Sequence, residues 1–411
     1  MQLKPSKRHL SKRHLALPLG AIVIASATAL LHAQQRVTLG TSVFSESRGP
    51  FSTLVVAPRV GVDIGATDSL RITGGYDVDV VSAASLAVID SPADIDGITS
   101  ATWMQDVRHS GRIGAQYVLD DTTLRAGYRY GTENDYRAHS PSLSVGVDLF
   151  ERASRLEVAL GGSFDEICDA QQRDDAPPQE REALGSSAGC FTDARASQSL
   201  TTWTLDASWT QAIRPDLAVQ LILSGSRSEG FQSSPYREVW LGPWSAQESH
   251  PLLRHRGSAA VDVRLSLPAI RSVLGMRVRG YADDWMMVAA SADLSLDVSA
   301  TEEWRVRLHG RAYTQSGVAF YADDYVITPR GQYFTGDREL SPMTSMLGGA
   351  RVMFNVKPNA EGRVLDALSG LRFALGVDVA RADYAHYALS QSRFPDGFWA
   401  LADFSVSGEI E

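Results

Sequence analysis

From residue 36 to the end, apolar and polar side chains alternate, and that period decides what the chain can build. In EEWRVRLHGRAYTQ (302–315), Trp304, Val306, Leu308, Gly310 and Ala312 alternate with Arg305, Arg307, His309, Arg311 and Tyr313. Wound as a helix, this stretch would scatter its arginines around the axis. Extended, it has one apolar face and one face carrying three arginines and a histidine.

The same unit recurs. Leu54, Val56, Val60, Val62 and Ile64 alternate with Arg59 and Asp63, and after the turn ATDS (66–69), Leu70, Ile72, Tyr76 and Val78 alternate with Arg71, Thr73, Asp77 and Asp79. The pattern continues through 105–119, 122–132, 139–150, 154–166, 199–213, 217–227, 254–267, 275–282, 285–299, 303–315, 341–357, 370–384 and 397–411. With 37–46 at the start, it predicts 16 strands, or 14 if 37–46 and 275–282 are left out. Connections alternate too. Tight joins at 66–69, 120–121, 151–154, 213–216 and 299–303 are interleaved with long polar stretches at 81–104, 167–198, 228–253, 316–340 and 385–396.

Short turns at one end, long loops at the other and an even strand number are the marks of a transmembrane antiparallel up-and-down β-barrel. Closure is what hydrocarbon demands, because an open sheet edge would leave backbone groups unpaired there. The apolar face then meets lipid and the arginines face a hydrated lumen. Trp203, Trp285, Trp304, Tyr117 and Phe150, near strand ends, suit interfacial girdles. In a soluble sandwich, the competing reading, the apolar faces would press together instead.

The N-terminus agrees with export. Lys4, Lys7, Arg8, Lys12 and Arg13 precede the uncharged LALPLGAIVIASATALL (15–31), which suits a signal peptide (1–33) cleaved near Ala33 and a single barrel domain over 34–411. No later segment holds the roughly 20 apolar residues of a membrane helix. Removing 1–33 takes away five of the 39 Lys+Arg and none of the 48 acids, for a net charge near −14. Such a balance argues against nucleic-acid binding. Cys168 and Cys190, in an oxidising compartment, are expected to form a disulfide, worth roughly 3 kcal/mol by loop closure.

The blocks YDVDVVSAAS with DGITSAT, YRYGTENDY, SSPYREV with HPLLRHRG, GYADDW and YTQSGVAFY stand in this order along the chain. As an ordered set they resemble a bacterial family of outer-membrane barrels catalogued as domain of unknown function 3570. The resemblance implies a Gram-negative outer membrane, contact with its lipid and handling by the barrel-insertion machinery. It carries no established activity. Such barrels usually finish on an aromatic residue, whereas this chain finishes FSVSGEIE. The resemblance also admits a partner role in an exported redox system.

Chemistry concentrates on the expected lumen face. Arg254, Arg256, Arg264, Arg277, Arg279, Arg305, Arg307 and Arg311 form an arginine strip, with Asp262, Asp293 and Asp297 as counter-charges. These groups either neutralise one another in a wall of ion pairs or line a pore that attracts small polar or anionic solutes. Asp283, Asp284, Asp323 and Asp324 gather acids at the loop rim, without the spacing of a calcium loop. His309 with an acid on a neighbouring strand could form a dyad, which in a lumen is usually structural. No nucleophile, metal, phosphate or dinucleotide motif occurs, so neither an enzyme nor a cofactor is expected. Two functions remain: a porin-like channel, or a filled barrel serving as anchor or assembly partner. Oligomeric state is not readable.

Overall fold

The computed structural model describes residues 35–48, 51–83, 104–169, 184, 191, 197–241, 245–322, 325, 331–357, 370–384 and 397–410. Residues 1–33, the expected signal peptide, and Cys190, Asp323 and Asp324 lie outside them. The strands are β1 (Gln35–Arg48), β2 (Phe51–Gly65), β3 (Leu70–Ala83), β4 (Met104–Leu119), β5 (Thr122–Thr132), β6 (Tyr136–Leu149), β7 (Ser154–Cys168), β8 (Ser197–Arg214) and β9 (Leu217–Gly230). Two short strands, β10 (Glu238–Trp240) and β11 (Ser245–Gln247), lie in the next connection. The chain continues with β12 (Leu253–Leu267), β13 (Ser272–Asp283), β14 (Val288–Ser299), β15 (Trp304–Gln315), β16 (Met343–Asn355), β17 (Arg372–Asp383) and β18 (Gly397–Ile410).

All but β10 and β11 form one closed antiparallel barrel in which sequence neighbours are spatial neighbours, β9 pairing directly with β12. β18 closes on β1 from Gln35↔Ile410 to Ser47↔Phe398, so the sheet has no edge. The predicted 16 strands are all present, and the two weakest, 37–46 and 275–282, belong to β1 and β13.

Turns fall at one end, over 66–69, 120–121, 150–153, 215–216, 268–271 and 300–303. They are sharp enough to hold Asp120, Phe150, Glu151, Arg152 and Arg271 at positive φ. The long loops leave the other end. Their sorting has exceptions: 133–135 and 284–287 are tight at the loop end, and 356–371 is long at the turn end.

The alternation places the apolar residues outside. Ile113, Leu143, Leu160, Leu205, Leu294, Leu308 and Leu375 are all about half exposed, although they are large and apolar. A soluble protein would bury them; here they form a band facing hydrocarbon. Aromatic residues bracket the band. Trp209, Tyr117 and Trp304 stand toward the turn end, with the Trp304 ring 4.5 Å from that of Phe354. Tyr76, Tyr128, Phe164 and Trp203 stand toward the loop end. Trp285 does not join them: it is buried under the loops. A closed barrel with this exterior belongs in the outer membrane, with short periplasmic turns and long extracellular loops.

The opposite parity faces inward. Side chains there reach over an intervening strand, as a concave surface allows: Arg129 of β5 pairs Asp77 of β3 across β4, and Arg351 of β16 pairs Asp403 of β18 across β17.

Replacing Leu160 at the centre of the outer face of β7 by arginine should cost about 2–4 kcal/mol of folding free energy in lipid vesicles. Thr204→Arg on the inner face of β8 should cost far less. Urea unfolding followed by tryptophan fluorescence reads both, and equal costs would contradict the assigned faces.

Candidate functional site

The inner wall is lined by guanidinium groups tied to carboxylates. Asp262 takes Arg277 at 2.7 Å and Arg264 at 3.3 Å. Asp403 takes Arg351 at 2.9 Å, Arg59 from the other side, and the Ser42 hydroxyl at 3.0 Å. Asp77 takes Arg112 at 3.1 Å and Arg129 at 3.2 Å. Each of these three carboxylates holds two cations, so each triad keeps one positive charge.

One-to-one pairs fill the spaces between: Arg307 with Asp297 at 2.6 Å, Arg311 with Asp293 at 2.5 Å, and His309 with Asp378 at 2.8 Å. Two further strip arginines have hydroxyl partners only, Arg256 on Ser228 and Arg279 on Ser258, both at 3.0 Å. Arg305 has no ion-pair partner among the described residues. Most of these wall arginines are a third to a half exposed, so each pair is worth at most about 1 kcal/mol. Their main effect is on the position and sign of charge along the bore.

Glycine on the intervening strand opens the longer reaches. A Cβ at Gly349 of β16 would lie 1.9 Å from Asp378 Oδ1 and 2.5 Å from His309 Cε1, so His309 and Asp378 can meet only because that position is bare. Gly376 does the same for Arg351, whose Nε would be 3.1 Å from a Cβ there. Asp378, Asp403, Arg351 and Arg59 were not singled out from sequence. The signal was present in the lumen parity of β2, β16, β17 and β18, but each strand carries too few charges to stand out alone.

Arg254 departs from the rest of the strip. It is buried, stacks 4.0 Å over the Trp285 ring and donates to Asp283 at 2.5 Å. Asp283 is therefore no solvated rim acid: its side chain is fully covered, and it also accepts from the Tyr281 hydroxyl at 2.8 Å and the Met287 amide at 2.9 Å. Asp284 stays outside and meets His255 at 2.8 Å, a contact that outweighs its slight burial and holds its carboxyl below the usual range.

Over the loop end, the described residues of 231–252 and 316–342 pack into a roof. β10 and β11 form a ribbon, and Ser249 and Phe334 exchange two backbone bonds that add the second loop to it. Val239, Leu241, Ala246, Ala322, Tyr325 and Phe334 make its apolar core. Beside that core, the fully buried Glu248 accepts from the Ser234 amide at 2.6 Å and the Thr335 hydroxyl at 2.7 Å. Arg237 reaches Glu248 at 3.3 Å and Asp337 at 2.5 Å. Burial alone would raise the Glu248 carboxyl, but Arg237 and His250 outweigh it and hold it at about 2. The roof is tied to the rim in several places. Tyr236 donates to Asp135 between β5 and β6, Gln247 to Asp169 after β7, the Ala319 amide to the Trp285 carbonyl between β13 and β14, and Arg338 to Glu46 of β1.

Cys168 is fully buried against Leu184; its expected partner lies outside the described residues. Among the described residues no group of three or more His, Cys, Asp or Glu is placed to hold a metal.

A family model described as "Protein of unknown function (DUF3570)" matches residues 27–368. No curated protein matches. Among solved structures the chain is similar to Pseudomonas aeruginosa OpdQ, at 8% identity and TM-score 0.43, over 92% of this chain and 98% of that one. It is similar to P. aeruginosa OccK2 (OpdF) in complex with glucuronate, at 10% identity and TM-score 0.44, over 93% and 99%. A BenF-like porin from Pseudomonas fluorescens Pf-5 matches at 10% identity and TM-score 0.44, over 93% and 100%.

Arg237→Ala should strip the buried Glu248 and Asp337 of their shared cation, at about 3–5 kcal/mol. Hydrogen exchange is expected to rise in 231–252 and 316–342 while the barrel strands stay protected. Acid should act the same way. The folded-state pKa of Glu248 lies below its unfolded value, so its contribution is present above about pH 4.5 and is lost as pH falls toward 2. Roof protection that is unchanged between pH 6 and pH 2.5 would contradict this assignment.

Proposed function

The chain belongs to the DUF3570 family, and on that premise we propose that this outer-membrane, porin-like barrel passes small anionic solutes through an arginine-lined bore. The supporting observation is the shared carboxylates: Asp77, Asp262 and Asp403 each neutralise only one of two guanidiniums, and Arg256, Arg279 and Arg305 form no ion pair among the described residues. A tube of low-dielectric walls focuses such charge and concentrates counter-ions. The acidity of the whole chain does not oppose this, because a solute in the bore feels the near wall first. Transport requires no catalytic group, and the His309–Asp378 pair is a wall contact in this reading.

The roof supports a second reading, the filled barrel that anchors or assembles with another exported protein. Its buried core and its ties to β1, to β7 and to the β5–β6 and β13–β14 connections support that reading. Under the channel reading the same roof narrows the mouth, helped by a Cys168–Cys190 disulfide that closes the loop after β7. An alkylation mass shift appearing only after reduction would support that disulfide; alkylation of the unreduced folded protein would count against it.

Planar bilayers separate the two readings. Refolded protein should give open-channel steps with a reversal potential favouring chloride over potassium. Arg279→Ala and Arg305→Ala leave no carboxylate stranded, so they should lower that preference without disturbing the fold. A silent bilayer from protein that still shows heat-modifiable migration would favour the filled barrel. Cation preference would remove the anionic assignment.

A further inference from the structure

On the outer surface of β3 to β6, near the loop end, strand register sets Tyr76, Gly111, Tyr130 and His139 in one row. Val78, His109, Thr132 and Arg137 form the next row toward the loops. A Cβ at Gly111 would have no atom within 4 Å, so the first row has a dent in its middle with a tyrosine on either side. We propose that this dent seats the phosphorylated sugar headgroup of an outer-leaflet glycolipid. The inference does not rest on what the bore passes.

Depth comes first. His109 lies eight residues from Tyr117, which stands in the aromatic band toward the turn end. At about 3.4 Å per residue and a tilt near 40°, that is roughly 21 Å along the membrane normal, against an apolar band of about 25 Å. The two rows therefore meet the outer border of the hydrocarbon, where headgroups begin. Both histidines are exposed there. The Tyr76 hydroxyl meets His109 Nδ1 at 2.7 Å, and the Tyr128 hydroxyl meets His139 Nδ1 at 2.6 Å. With each phenol donating, the ring proton sits on Nε2, which has no partner among the described residues. Two oriented N–H donors thus face a surface whose only other polar company is the headgroup layer.

Charge selects an anion. The outward positions of β3 to β6, those in step with Ile72, Ile113, Leu124 and Leu143, include no Asp or Glu. They do include Arg137, which lies beside the two histidines in register and is nearly half exposed. Its nearest carboxylate, Glu166 on β7, is 3.8 Å away, too far for a hydrogen bond. Basic groups at this depth attract lipid phosphates. Shape selects the sugar. The backbones that carry Tyr76 and Tyr130 are two strand spacings apart, about 9.6 Å, and the bare Gly111 between them leaves room for a ring. A glycerol headgroup would reach the donors but leave the dent unfilled.

Native mass spectrometry of refolded full-length protein in detergent, titrated with lipid A, dephosphorylated lipid A or phosphatidylglycerol, reads both selections. One lipid A should be retained, at least ten times tighter than either of the other lipids. His109→Phe combined with His139→Phe keeps the aromatic bulk and removes the donors, so it should abolish the preference for the phosphorylated form. Gly111→Leu fills the dent with a side chain that suits the lipid face and should weaken lipid A binding about tenfold. Each variant is checked for heat-modifiable migration first, and the open space at Gly111 predicts that it folds. Phosphatidylglycerol retained as tightly as lipid A, no retained lipid A, or retention left unchanged by either variant would overturn the proposal.

Discussion

Backbone closure is the constraint on which the rest of this molecule depends. Inside hydrocarbon an unpaired amide or carbonyl costs several kcal/mol, and the β1–β18 ladder removes the last two free edges at once. Once the sheet is closed, each strand must have one side in lipid and one in the lumen. The alternation of Trp304, Val306 and Leu308 with Arg305, Arg307 and His309 is a consequence of that division. So is the crowding of charge inside. Guanidinium groups excluded from lipid have only each other, water and the carboxylates of neighbouring strands as company.

That crowding explains how the wall pairs are arranged. Adjacent strands place Asp293 opposite Arg311 and Asp297 opposite Arg307, pairs that follow directly from register. Elsewhere a partner lies two strands away, and the strand between must be low enough to reach across. Gly349 under the His309–Asp378 pair and Gly376 under Arg351 provide this. A methyl group at either position would occupy the space through which the contact passes. Glycine serves here as clearance, on a face where small size would otherwise weaken a strand.

The barrel was legible in the sequence because period two is a local signal that lipid exposure amplifies. Half-exposed leucines cannot be traded for polar residues on that face, so the pattern survives in nearly every strand. Charge on the lumen face was legible for the same reason. What could not be read was partner choice across strands: nothing local in β18 marks Asp403 as the carboxylate for Arg59 and Arg351. The roof was hidden more completely. Loops 231–252 and 316–342 carry no period, and their buried Phe334, Glu248 and Thr335 come together only through tertiary contact. Trp285 misled for this reason. Its place near a strand end suits a girdle, but the pull of His250, Phe320 and Arg254, within 4.0–5.3 Å of it, keeps it inside.

The roof and the wall use charge in different ways. Wall arginines are open to water, so their pairs add little stability and what they supply is a field. Glu248 and Asp337 are buried and Arg237 is half-buried, where desolvation opposes each charge and an apolar cluster of equal volume would hold the loops at least as well. A cluster that is costly to form and costlier to break admits few alternative packings. Together with the Ser249–Phe334 backbone bonds, it therefore fixes one arrangement of two long loops. With the loop positions set in this way, the proposed channel would take its selectivity from the fixed charges of the bore beneath and not from loop motion.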